Sequence, residues 1–151
     1  MPSKPSKLPI GYVNIRVFAH ATEDQERVLT AVRNTLPEEL WESAVFKKTG
    51  LTGHHGNPIT LVEVELADKE KLMAMLQKIG NSLTSLDRET LNAEMPLHLE
   101  KGNLYLRFDK QQAFLGHLRF SSNDPVHFKI HFRNKTAEEI IAICKEAGLL
   151  P

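Results

Sequence analysis

Along residues 12–20 apolar and polar positions alternate, with Val13, Ile15, Val17 and Ala19 on one side and Tyr12, Asn14, Arg16, Phe18 and His20 on the other. Successive side chains of a strand point to opposite faces, so this period of two predicts a half-buried strand. The period then lengthens. Val28, Leu29, Val32 and Leu36 recur at helical spacing, and Pro37 is placed to end that helix. Thr22 and Gln25 have capping-box spacing, which puts the helix start at Thr22. Strands are predicted at about residues 43–49 and at 59–66, joined by the glycine-rich stretch 50–58. Ordinary hairpin loops take roughly 2–5 residues, so this longer one reads as a candidate functional loop.

Asp68 caps a second predicted helix, with Leu72, Met75, Leu76 and Ile79 inward and Gly80 as its stop. A weaker helix follows over 84–95, ended by Pro96. Residues 103–109 read as a fourth strand, 110–116 as a short helical turn and 126–133 as a fifth strand. Thr136 and Glu139 form another capping box. It opens a helix whose apolar residues are Ile140, Ile141, Ile143, Cys144 and Ala147, with Gly148 as the stop. The order β-α-β-β-α-(α)-β-β-α predicts an α+β fold. It would be a two-layer sandwich: a largely antiparallel or mixed five-stranded sheet with helices on one face. One domain is expected over residues 10–151, preceded by a flexible proline- and lysine-rich arm at 1–9.

Net charge points to no partner, because 19 Lys and Arg balance 19 Asp and Glu. Distribution changes that picture. Residues 101–135 hold seven Lys and Arg against two acidic residues, which leaves the remainder with twelve against seventeen. The single cysteine, Cys144, excludes an intrachain disulfide. The N-terminus lacks an apolar signal region, and no apolar run reaches bilayer length. A cytoplasmic protein with no membrane partner is expected.

The basic bias is sharpest in the fifth strand. Val126, Phe128, Ile130 and Phe132 share one side, while His127, Lys129, His131 and Arg133 share the other. Every residue on that second side is cationic or becomes so on protonation, which suits an anionic partner such as a nucleic-acid backbone. Arg16, Tyr105 and Arg107 fall on the same open face, and Glu63 and Glu65 mark its limit. Lysine and arginine bind phosphate, and aromatic rings stack on unpaired bases. The outward histidines His20, His127 and His131 predict tighter binding near pH 6 than near pH 8, with the values of roughly 6–8 set by the ordinary histidine range.

Two further stretches join the candidate site. Lys110 and Gln111 cluster at the exit of the fourth strand, beside Arg107. His54, His55 and Asn57 lie in the glycine-rich loop, where backbone can approach a phosphate or base closely. Adjacent histidines of an extended chain point apart, and no Cys or acid stands at zinc spacing, so no metal site is expected there. No Walker-type loop, dinucleotide fingerprint or paired-carboxylate motif is present. Neither catalytic residues nor cofactors are expected.

Three segments, Ala19-His20-Ala21-Thr22-Glu23-Asp24, Gly53-His54-His55-Gly56-Asn57-Pro58-Ile59 and Leu104-Tyr105-Leu106-Arg107-Phe108-Asp109-Lys110-Gln111, resemble in content and order an archaeal RNA-binding family described as a predicted exosome subunit. Members often carry tyrosine where this chain has His55. The resemblance implies an α+β fold similar to that of the ribosomal protein that binds 5S rRNA. It also implies a non-catalytic accessory role with RNA, structured or single-stranded, alongside exosome or ribosomal components. The alternative reading is a protein-interaction module or homodimer that uses a sheet edge or the open face. A hydrolase built on His54 and His55 is the third.

Overall fold

Strand β1 (Ile10–His20) runs through the middle of the sheet, and its alternation is realised: Val13, Ile15, Val17 and Ala19 are buried. It pairs antiparallel with β3 (Pro58–Leu66) on one side and β6 (Pro125–Phe132) on the other. Outside β3 lies β2 (Lys47–Thr52); outside β6 lie β5 (Asn103–Asp109) and then β4 (Leu99–Glu100). The order is β2-β3-β1-β6-β5-β4, with every pair antiparallel. The computed structural model describes residues 9–151, with His54 by its backbone alone. Apart from Pro9, the arm expected at 1–9 lies outside the described residues.

Five helices accompany the sheet: α1 (Gln25–Asn34), α2 (Lys69–Ser82), α3 (Ser85–His98), α4 (Lys110–Phe114) and α5 (Ala137–Ala147). Val28, Leu29 and Val32 of α1, Leu72, Met75, Leu76 and Ile79 of α2, and Ile140 and Cys144 of α5 are buried in one core with the inward strand residues. Burial pushes the Cys144 thiol up to about 12, so this cysteine is an inert core residue. Among the described residues no helix is long and apolar enough to cross a membrane.

The α+β class and the open, antiparallel sheet match expectation, but the sheet has six strands and not five. The extra strand, Leu99–Glu100, is too short to show any period. It covers the outer edge of β5 at residues 103 and 104 only. Further along that edge His98 Nδ1 donates to the Tyr105 carbonyl at 2.9 Å. Beyond it the Asp109 amide donates to Arg119 O at 2.8 Å and the Ser121 amide to Arg107 O at 3.1 Å. The outer edge of β5 is thus blunted piecewise.

Several boundaries moved for local reasons. Helix α1 starts at Gln25, because the Asp24 carboxylate accepts from the Glu26 amide at 2.9 Å; Thr22 is not its cap. Strand β2 begins at Lys47 and stays in register to Thr52 opposite Pro58. That leaves residues 53–57 as an ordinary hairpin loop, not the long one expected. Helix α3 runs through Pro96 to His98. Proline forfeits the bond to the Asn92 carbonyl, but Leu91 and Met95 are buried on the core and hold the helix past it.

Gly80 is also not a stop; α2 continues to Ser82. A Cβ at Gly80 would lie 2.5 Å from the carbonyl oxygen of Gly148, which closes α5 in a left-handed conformation at φ 88°. The glycine therefore lets α2 touch the end of α5 backbone to backbone. Gly80→Ala is expected to destabilise the fold by about 1–2 kcal/mol despite alanine's better helix propensity, because the obstacle is main chain that cannot swing aside. A denaturant midpoint at or above that of the unmodified chain would contradict it.

Candidate functional site

With the helices on one face, the strand residues of opposite parity line the other. The register sets them in rows. Lys47, Glu63, Arg16, His127 and Arg107 stand side by side across β2, β3, β1, β6 and β5. The next row is Glu65, Asn14, Lys129 and Tyr105, and the third is Tyr12, His131 and Asn103. Between them runs a groove of about 640 Å³ lined by Asn14, Arg16, Lys47, Tyr105, His127 and Lys129, with Glu63 and Glu65 along one side.

The cations in these rows are not equivalent. Arg16 Nε lies 3.4 Å from Glu63 Oε2, so its charge is partly answered within the sheet. Arg107, Lys129 and Lys47 pair with no carboxylate among the described residues, and neither does Arg133, which lies just past the end of β6 and not in the strand as expected. Lys129 instead places Nζ 5.8 Å from the centre of the Tyr12 ring.

Two stacked ring pairs lie among them. Tyr12 and His131 have centroids 4.8 Å apart at 22°, and Tyr105 and His127 are 5.8 Å apart at 30°. His131 Nδ1 is 2.8 Å from Asn103 Oδ1, which fixes that ring in plane and proton position. Burial lowers the pKa of His127 below the ordinary histidine value, and the Arg107 and Arg16 charges lower it further. His127 is therefore mostly neutral at pH 7, a stacking ring held between two guanidinium groups.

Not every expected residue joins this face. Lys110 is buried, and its Nζ lies 2.8 Å from Glu23 Oε1, 2.8 Å from Asp124 Oδ2 and 2.9 Å from the Phe18 carbonyl. His20 Nε2 reaches Asp124 Oδ1 at 3.2 Å. His20, Glu23 and Asp124 bring three ligand-type atoms within 4.8 Å of one another, and the Lys110 ammonium already supplies the cation there. Gln111 is exposed, but it lines a separate groove between α1 and α4 with Thr22, Arg27 and Phe114.

The β2–β3 loop stands apart as well. His54–Gly56 forms one tight turn with His55 at φ 58°, and the Gly53 amide donates to Asn57 O at 2.6 Å. His55 and Asn57 are exposed at the hairpin tip. Along β3 the tip lies about 20 Å from the row of Arg16 and Glu63, at the ordinary rise per strand residue. An apolar stretch of the same face, Leu51, Ile59, Phe18 and Leu61, intervenes. The loop and the cations thus occupy different parts of the molecule.

Tyr12, Asn103 and Lys47 belong to the face without having been picked out from sequence. Tyr12 shares the parity of Arg16 and could have been found by that signal. Lys47 could not, because its place depends on the β2–β3 register.

Comparison with known proteins gives concordant results. A family model described as RNA binding matches residues 12–132. An RNA-binding protein of Pyrococcus abyssi is 38% identical over 132 residues, 85% of this chain and 83% of that protein. An uncharacterized protein of Methanocaldococcus jannaschii is 33% identical over 135 residues, 84% of this chain and 89% of that one. Among solved structures, a DUF54 protein of Methanothermobacter thermautotrophicus superposes with a TM-score of 0.75 at 27% identity, covering 95% of this chain and 99% of its own.

Proposed function

The chain belongs to the RNA-binding family that these archaeal relatives represent, and we propose from that premise that it binds single-stranded RNA across its open sheet face. Arg107, Lys129 and Arg133 take the phosphates, and the Tyr12–His131 and Tyr105–His127 pairs supply stacking surfaces. One observation carries this reading: cations without carboxylate partners alternate with stacked rings on an otherwise uncovered sheet. Unpaired bases need flat apolar platforms beside a cationic track, and duplex RNA does not. The protein acts without catalysis, as a cytoplasmic accessory to exosome-type RNA processing or to ribosomal RNA. That last link rests on the family resemblance of the three sequence motifs.

Fluorescence anisotropy of a labelled single-stranded RNA of mixed sequence tests the reading. Three phosphate contacts predict that log affinity falls against log salt with a slope of about −2 or steeper. A pH series adds a second signature. An RNA phosphate favours the charged form of His127, so affinity rises as pH falls. Because the free ring titrates below its ordinary value of 6.5, the gain starts at the higher pKa of the RNA-bound ring and keeps growing on acidification past 6.5, levelling off only below the free pKa. Binding that ignores salt would sink the sheet-face reading; affinity flat on acidification would remove His127 from it.

A further inference from the structure

A second, smaller groove opens beside the cationic face, where α3 passes the outer edge of β5. It holds about 270 Å³, less than the roughly 300–1,000 Å³ of pockets for drug-sized ligands, which suits one base. Leu91 and Phe120 give it an apolar lining, Glu94 and His98 form one wall, and Arg107 and Ser122 stand on the other side. Arg107 is also the cross-strand neighbour of His127. The groove is therefore continuous with the rows that carry the phosphate-binding cations.

Its hydrogen-bonding groups are specific in kind. His98 Nδ1 donates to the Tyr105 carbonyl at 2.9 Å, so in the neutral ring Nε2 is left with a lone pair. That nitrogen faces Glu94 Oε1 at 3.6 Å, and the Glu94 side chain is half exposed. One wall thus accepts hydrogen bonds, while the Arg107 guanidinium can only donate them. The deeper carboxylate, Asp87, lies 3.3 Å from Arg119 Nε, but its buried Oδ2 accepts no hydrogen bond and adds a second acceptor to the groove.

We infer that this groove is a guanine pocket, taking one base turned out of the strand that lies on the sheet. The inference rests on the sheet-face reading of RNA binding. Guanine has two adjacent donors, N1–H and the N2 amino group, on its Watson–Crick edge, which match a carboxylate. It carries two acceptors, O6 and N7, which match the exposed guanidinium of Arg107 when that side chain turns from a phosphate to the base. Adenine sets its N1 acceptor against the carboxylate, cytosine sets N3 there, and uracil has a single donor flanked by acceptors. Leucine and phenylalanine supply the apolar contact that a purine ring fills.

The test compares ten-residue oligouridines carrying one guanine, adenine, inosine or 7-deazaguanine at the centre. One good bidentate contact predicts that guanine binds about tenfold more tightly than adenine or uracil. Inosine lacks the N2 amino group and should lose most of that preference; 7-deazaguanine lacks N7 and should lose part. With Glu94→Gln the guanine-to-uracil ratio should fall from about ten to about one, since the amide offers a single acceptor and a competing donor. Salt-dependent binding of oligouridine with no gain from guanine overturns the pocket alone. So does a guanine preference that survives Glu94→Gln. Failure to bind any oligomer overturns the sheet-face reading and the pocket with it.

Discussion

Replacing Arg107, Lys129 and Arg133 together by glutamine is expected to weaken RNA binding roughly 100-fold at about 150 mM salt and to flatten its salt dependence. Each single-stranded phosphate contact contributes about 0.7 to the slope of log affinity against log salt, so removing three makes that slope shallower by about 2. At about 1 kcal/mol for each charge-assisted contact, three together give the 100-fold loss. Stability should hardly change. None of the three cations pairs with a carboxylate among the described residues, and Arg107 and Arg133 are exposed, so their loss breaks no ion pair. Arg16→Gln should do less, because Glu63 already answers that charge at 3.4 Å. Anisotropy titrations at several salt concentrations measure both quantities. A triple variant with unaltered affinity and slope would place the RNA elsewhere on the molecule.

How much of this face could be read from sequence depended on period. The alternation of β1 and β6 placed Arg16, His127, Lys129 and His131 on one side, and pleat geometry left no other choice. Tyr105 and Arg107 followed by the same parity, while Glu63 and Glu65, expected to end the basic face, stand opposite Arg16 and Asn14 with Lys47 beyond Glu63. Where the signal was not periodic it failed. Strand β4 is two residues long. Capping-box spacing put the start of α1 at Thr22, but the carboxylate that caps it is that of Asp24. Gly80 resembles a helix stop locally, and only the approach of Gly148, far along the chain, gives it another purpose. The β2–β3 loop looked long because Gly50 suggested that β2 ends at residue 49, whereas pairing with β3 carries the strand on to Thr52. Glu94 and His98, in a helix that sequence alone reads as weak, gave no hint of a pocket, because their partner Arg107 comes from another element.

Lys110 is the clearest case of a residue whose type suggested one role and whose burial assigns another. Lys110→Met is expected to lower stability by about 2 kcal/mol and the melting temperature by about 6 °C, while RNA affinity measured well below that temperature stays the same. Breaking a fully buried ion pair costs about 3–5 kcal/mol; Glu23 and Asp124 are about a third exposed, so water offsets part of that. Methionine keeps the stem packed, and what is lost is the ammonium that joins the end of β1, the start of α1 and the turn before β6. The pH dependence separates this from a simple packing defect. Burial alone would raise the pKa of Asp124, but the bonds from Lys110 and His20 outweigh it and hold the carboxyl below 3.8. A carboxyl with a depressed folded-state pKa contributes stability that is present above the unfolded value and lost as pH falls through the folded one. Without Lys110, burial and the neighbouring Glu23 push Asp124 upward, so the variant takes up a proton earlier and is relieved by acid. The stability gap between the two proteins should therefore be widest near pH 7 and narrow steadily toward pH 4, the window set by ordinary carboxyl values of about 4. Urea titrations across that range give the gap directly. A constant gap would mean that Lys110 acts through its stem, and a loss of RNA affinity in a folded variant would return it to the binding surface.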